Sequence, residues 1–165
     1  MDSTFQKLIS LGLDLERVGL MQCEDNDGYF CTPKGAVILG WAGIDGIHYC
    51  QVPDLGDTVF VVDPMDGEDP VHPIARNITD MLRLLLVCGD MAAPAQAHAF
   101  PDKQSFGEFL TQCRPDNETR EILDRIGRAF DIKPMPLPYK YVKELQASFD
   151  LSAVPYTDEY YEVTG

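Results

Sequence analysis

The chain has 165 residues, with 27 Asp and Glu against 13 Lys and Arg, and a formal net charge of −14 at pH 7. Its length suits one domain with a full core, or one domain plus a helical extension, and its acidity argues against nucleic acid as a partner, because phosphate recognition rests on basic surface. No apolar run approaches the roughly 18 residues of a membrane span, and no basic region followed by an apolar stretch opens the chain, so a soluble, cytoplasmic protein without membrane contact is expected.

Asp2 or Ser3 is placed to cap a first helix whose apolar face is Phe5, Leu8 and Ile9, with Gly12 near its end. Leu13 to Met21 fits either a further helical turn or an extended link, and Cys23 to Gly28 reads as a polar loop. From Gly28 the pattern becomes β-like. Gly28–Thr32 is a short aromatic run, and Thr32-Pro33-Lys34-Gly35 has Pro and Gly where a type I turn prefers them. Ala36–Trp41 is apolar on both faces, as in a covered strand. Asp45-Gly46 is the strongest hairpin signal, because a type I′ turn needs positive φ at both central residues. Ile47–Val52 returns, the loop Pro53–Asp57 follows, and Thr58–Val62 forms another strand. Successive strands joined by short turns usually pair, which predicts a three- or four-stranded antiparallel meander.

A Pro-rich acidic loop then leads to a helix. Asn77 is its N-cap, Ile78, Met81, Leu82, Leu85 and Leu86 fall at helical spacing, and Gly89 suits its left-handed terminus. The near-continuous apolar run Leu84–Cys88 predicts burial on more than one side. Met91–Ala99 is Ala-rich and helical, with Pro94 in the first turn. Asp102 caps an amphipathic helix carrying Phe106, Phe109, Leu110 and Cys113, and Asp116 or Asn117 starts another carrying Ile122, Leu123, Ile126 and Phe130. Pro134-Met135-Pro136-Leu137-Pro138 is a stiff spacer, read as a connector between helices or as a ligand for an aromatic groove. Pro138 opens a last helix through Phe149, with Tyr141, Val142, Leu145 and Phe149 inward, before an acidic, partly flexible tail. The expected fold is α+β, with a meander sheet of about four to six strands packed by helices and further C-terminal helices. Residues 1–133 form its domain, and 134–165 carry the spacer, final helix and tail, packed on the same domain.

Five cysteines without repeated spacing argue for free thiols in a reducing compartment. His48 and Cys50 share a strand face, but no nucleophile turn or oxyanion signature accompanies them. His72 lies between two prolines near Asp63 and Asp66, without the spacing of an EF-hand, and His98 is isolated. No residue is therefore assigned as catalytic or as a metal ligand, and no cofactor is expected. A small enzyme working around His48, Cys50 and His72 is the alternative, and a structural or regulatory interaction protein is a third.

Charge distribution is more informative than net charge. Between Gly35 and Ala75 there are acids at Asp45, Asp54, Asp57, Asp63, Asp66, Glu68 and Asp69, and no Lys or Arg. Such a stretch is either a solubilising surface or a face that captures a basic protein, where complementary fields speed encounter. Asp45, Asp54, Asp57, Asp66, Glu68 and Asp69 are the candidate partner-binding residues.

The run Val37–Cys50 with its Gly- and Asp-containing turn, the strand Thr58–Asp63 and the helix Ile78–Cys88 together resemble the SUKH superfamily. The resemblance covers about residues 28–90. It implies an α+β fold and a role like that of the bacterial members, immunity proteins that bind and neutralise a toxin domain, frequently a nuclease. Under that reading the chain is a non-catalytic binding module whose acidic surface meets a basic partner.

Overall fold

Turn chemistry sets the sheet. In the computed structural model, which describes residues 1–165, Asp45 and Gly46 take φ of +54° and +71°, as the type I′ hairpin demands. They join strand β1 (Val37–Trp41) to β2 (His48–Gln51), and β3 (Val59–Val62) and β4 (Val71–Ala75) complete a four-stranded antiparallel meander in the order β1-β2-β3-β4. Trp41 faces His48, His48 faces Val62 and Val62 faces Val71, while Tyr49, Val61 and His72 form the neighbouring row. Cross-strand partners share a face and adjacent residues alternate. His48, Cys50 and Phe60 therefore point one way, and Tyr49, Val61 and His72 the other.

The expected strand at Gly28–Thr32 is a turn, and the fourth strand is Val71–Ala75, from the segment read as a loop. Both differences have a local cause. The Thr32 hydroxyl accepts from the Tyr29 amide at 2.8 Å, and the Thr32 amide donates to the Tyr29 carbonyl at 2.9 Å, so this backbone folds on itself rather than joining a ladder. Pro73 disguises β4, but β4 lies at the sheet edge, where a strand tolerates a residue without an N–H.

Helices cover the Tyr49–Val61–His72 face. Their starts are fixed by short acceptors: Asp2 takes the Thr4 amide at α1 (Ser3–Ser10), and Asn77 takes the Asp80 amide at α2 (Ile78–Cys88), each at 2.8 Å. A 3-10 turn at Leu15–Val18 resolves the ambiguous segment, after which Met21 bridges Trp41. The short α3 (Ala92–Gln96) and a 3-10 turn at Ala97–Ala99 precede α4 (Lys103–Gln112), α5 (Asn117–Phe130) and α6 (Pro138–Ser148). Asp102 and Asp116 cap α4 and α5 as expected. The principal core joins Leu39, Tyr49, Val61 and Ile74 of the sheet to Phe5, Leu8, Met81, Leu82, Leu85, Phe106, Ile126 and Val142 of the helices. Each such aliphatic side chain contributes about 1.5–3 kcal/mol relative to exposure. α2 sits in the middle, with Leu82, Leu84 and Leu85 all buried, as its apolar run predicts.

The opposite sheet face has a smaller core. Cys50, Val52, Phe60, Val62 and Val71 are covered by Cys31 and Val154, with Phe149, Tyr156 and Tyr160 alongside. The tail expected to be partly flexible is thus part of the fold. Its residues Asp158–Thr164 form α7, capped by Thr157, and Tyr156 stacks on Tyr160 at 3.8 Å. The Lys34 amide donates to the Pro155 carbonyl at 2.8 Å. The segment before α6 and α6 itself are tied to the rest of the chain: the Met135 amide donates to the Arg83 carbonyl at 3.0 Å, and Gln146 to the Pro73 carbonyl at 3.3 Å. The proline segment joins α5 to α6 as a connector. No helix is long and apolar enough to cross a membrane.

Candidate interaction surface

At the β1–β2 end of the sheet, a buried histidine supports a partly exposed aromatic group. His48 has no exposed surface. Its Nδ1 lies 2.8 Å from the Gly46 carbonyl and its Nε2 lies 2.9 Å from the Thr32 hydroxyl. A carbonyl only accepts, so the proton sits on Nδ1, and Nε2 accepts from Thr32. The chain of donors is then complete, running from the Tyr29 amide to the Thr32 oxygen, from the Thr32 hydroxyl to Nε2, and from Nδ1 to Gly46. Burial holds the His48 pKa below its ordinary 6.5, with the Gly46 carbonyl opposing in part.

The rings of Trp41 and Tyr29 lie against this imidazole at 4.6 and 6.1 Å, and the Trp41 indole N–H donates to Asn26 at 3.3 Å. Tyr29 is 47 % exposed, and Ile44 at the hairpin tip is 63 % exposed. Around them runs an open groove of about 470 Å³ whose rim carries the exposed carboxylates Asp25, Asp27 and Asp45. On the other side of Ile44 a narrower cavity of about 250 Å³ is bordered by Asp63 and Asp90. Burial raises the Asp90 carboxyl above its ordinary range, with the Ala92 amide opposing. An apolar, aromatic patch with a carboxylate rim has the anatomy of a protein-binding surface.

The six expected partner-binding acids do not form one face. In a meander, successive connections alternate between the two ends of the sheet. Asp45 in the β1–β2 turn and Asp66, Glu68 and Asp69 in the β3–β4 loop lie at one end, and Asp54 and Asp57 in the β2–β3 connection lie at the other. All are exposed except Asp66, which turns partly inward. Asp25 and Asp27, from the polar loop before the sheet, were absent from the expected set and belong to the aromatic end. Sequence distance hides this grouping, since it depends on the bridge between Met21 and Trp41.

His48, Cys50 and His72 cannot form one site, because the sheet separates His72 from the other two. Cys50 is fully buried, and burial pushes its thiol up to about 12, the reverse of what a nucleophile needs. His98, expected to be isolated, instead stacks on His72 with centroids 3.8 Å apart and 9° between planes. The Asp66 Oδ2 lies 3.3 Å from the His72 Nε2 and 3.7 Å from the His98 Nε2. These three residues could hold a metal ion, since one donor atom from each lies within 4.8 Å of the others. The grouping follows from β4, which places His72 on the helix-covered face, where the turn after α3 delivers His98.

The fold and surface define an acidic α+β protein with an aromatic patch at one end of a meander sheet. Comparisons with protein-family models, curated proteins and solved structures give no match.

Proposed function

We propose that the chain is a non-catalytic protein-binding module that captures a basic partner at the β1–β2 end of its sheet. The observation that carries this reading is the exposed pair Tyr29 and Ile44 inside a rim of Asp25, Asp27 and Asp45. Apolar anchors supply affinity after water is expelled, and the negative field of the carboxylate rim speeds the encounter. The resemblance to SUKH immunity proteins adds a partner class, a toxin domain of nuclease type, whose phosphate-binding cleft is basic. The position of Cys50 and the fully occupied nitrogens of His48 favour this reading over thiol catalysis.

The test uses a partner captured on the immobilised protein and released by salt, followed by association kinetics with variants. Reversal of Asp25, Asp27 and Asp45 to Lys is expected to slow association by roughly 10–1000-fold at low salt, the range that electrostatic steering spans. Reversal of Asp54 and Asp57, at the other end, should have little effect. Equal effects of the two sets would refute the assignment of the surface. A Tyr29→Ala variant should raise the off-rate, because it removes an anchor rather than a field.

A further inference from the structure

We propose that Asp66, His72 and His98 form a site for a divalent ion of the zinc class, held by two imidazoles and one carboxylate. Neutral imidazole and carboxylate donors suit Zn²⁺ and Co²⁺ rather than Ca²⁺ or Mg²⁺, which take oxygen ligands. An ion with bonds of about 2.0–2.1 Å in a tetrahedral site sets its ligand atoms about 3.4 Å apart. The observed separations from Asp66 Oδ2 are 3.3 and 3.7 Å. All three donor atoms lie within 4.8 Å of one another, so rotation of one ring closes that shell and leaves a fourth position open.

The surroundings favour the ion. His72 and His98 retain only 12 % and 20 % of their side-chain exposure, and Asp66 retains 30 %. Two further observations concern movement. The rings are within 9° of parallel, so their lone pairs run side by side, and one ring must turn about χ2 to share an ion. His χ2 is a broad torsion. The buried His98 Nδ1 has no hydrogen-bond partner, so no bond holds that ring in its stacked orientation. An ion here would join the acidic β3–β4 loop to the turn after α3, and the inference does not depend on the partner-binding reading.

The experiment is equilibrium dialysis of the chelator-stripped full chain against Zn²⁺, with Co²⁺ as an optical probe. One equivalent is expected, with the Co²⁺ visible absorption of a low-symmetry nitrogen–oxygen site. Asp66→Asn and His98→Gln should each weaken uptake beyond the 10–100-fold that loss of an outer-shell partner costs. Circular dichroism reports whether the variants fold, and Asp66→Asn, at the more exposed position, serves if His98→Gln does not. A Cys23→Ser/Cys113→Ser variant should retain the ion, because those half-buried thiols are the competing ligands. Absence of stoichiometric uptake, unchanged uptake in both folded variants, or loss of uptake in the thiol variant would overturn the assignment.

Discussion

Replacing Thr32 by Val tests whether His48 is a structural support or a titrating functional group. The two side chains have nearly the same shape, so packing changes little, but the hydroxyl joins two partners at once. Its loss leaves the buried His48 Nε2 and the partly buried Tyr29 amide without the bonds they make at 2.9 and 2.8 Å. An unsatisfied buried polar group costs about 1–3 kcal/mol, and the amide can reach water in part. The expected loss is therefore about 2–3 kcal/mol, or roughly 5–10 °C in Tm for a chain of this size. Thr32→Ser keeps the hydroxyl and removes one methyl, so it should cost no more than about 1 kcal/mol. Urea unfolding at pH 7.5, followed by fluorescence of Trp41, reads both numbers. Equal losses for Val and Ser, or a Val variant within about 0.5 kcal/mol of the parent, would refute the reasoning.

The same histidine gives a pH dependence whose sign is fixed. His48 and His98 are both held below their ordinary 6.5 by burial first. Below pH 6.5 the unfolded chain takes up protons that the folded chain refuses. Their contribution to stability is therefore complete above that pH and is lost as pH falls toward the lowered folded values.

Gly46→Ala should be costly in stability and in partner binding. Its φ is +71°, and a Cβ would sit 2.7 Å from the Tyr29 ring, so the ring must leave its place over His48. A loss of at least 1 kcal/mol in urea unfolding, with an altered Tyr29–Trp41 environment in near-ultraviolet dichroism, is expected. Unchanged dichroism would contradict the packing of the patch. Alkylation with iodoacetamide at pH 8 should label Cys23 first and leave Cys31, Cys50 and Cys88 intact in the folded protein, since burial pushes those three thiols to about 11, 12 and 12. Rapid labelling of Cys50, read by mass spectrometry, would revive the thiol-enzyme reading.

Elements governed by local chemistry were legible in the chain. The Asp45-Gly46 hairpin and the caps at Asp2, Asn77, Asp102 and Asp116 depend on residues within a few positions of one another, and each occurs where the sequence places it. The fourth strand was not legible, because Pro73 is tolerated only at an edge, and edge position is a property of the whole sheet. The same limit applies to the tail. Tyr156 and Tyr160 are four residues apart, but Tyr156 precedes α7, so no sustained period marks a buried face, and their order comes from stacking on each other and covering the second sheet face.

Candidate sites depend most on such non-local geometry. A run of acids from 45 to 69 looks continuous along the chain, yet each strand reverses direction, so Asp54 and Asp57 are carried to the opposite end from Asp45. Alternation along β2 places His48 and Cys50 together, and pairing through β3 places His72 on the other face, which removes one candidate and creates another. His98 then supplies the second imidazole across a separation of 26 residues from His72, through a turn too short to carry a periodic signal. Strand register thus assigns the two halves of the molecule different chemistry. The face holding His48 is closed, with both ring nitrogens occupied, and the rings of Trp41 and Tyr29 lie against that imidazole. The face holding His72 meets His98 and Asp66, with donor atoms within 4.8 Å of one another, and it is there that the chain groups side chains able to hold a metal ion.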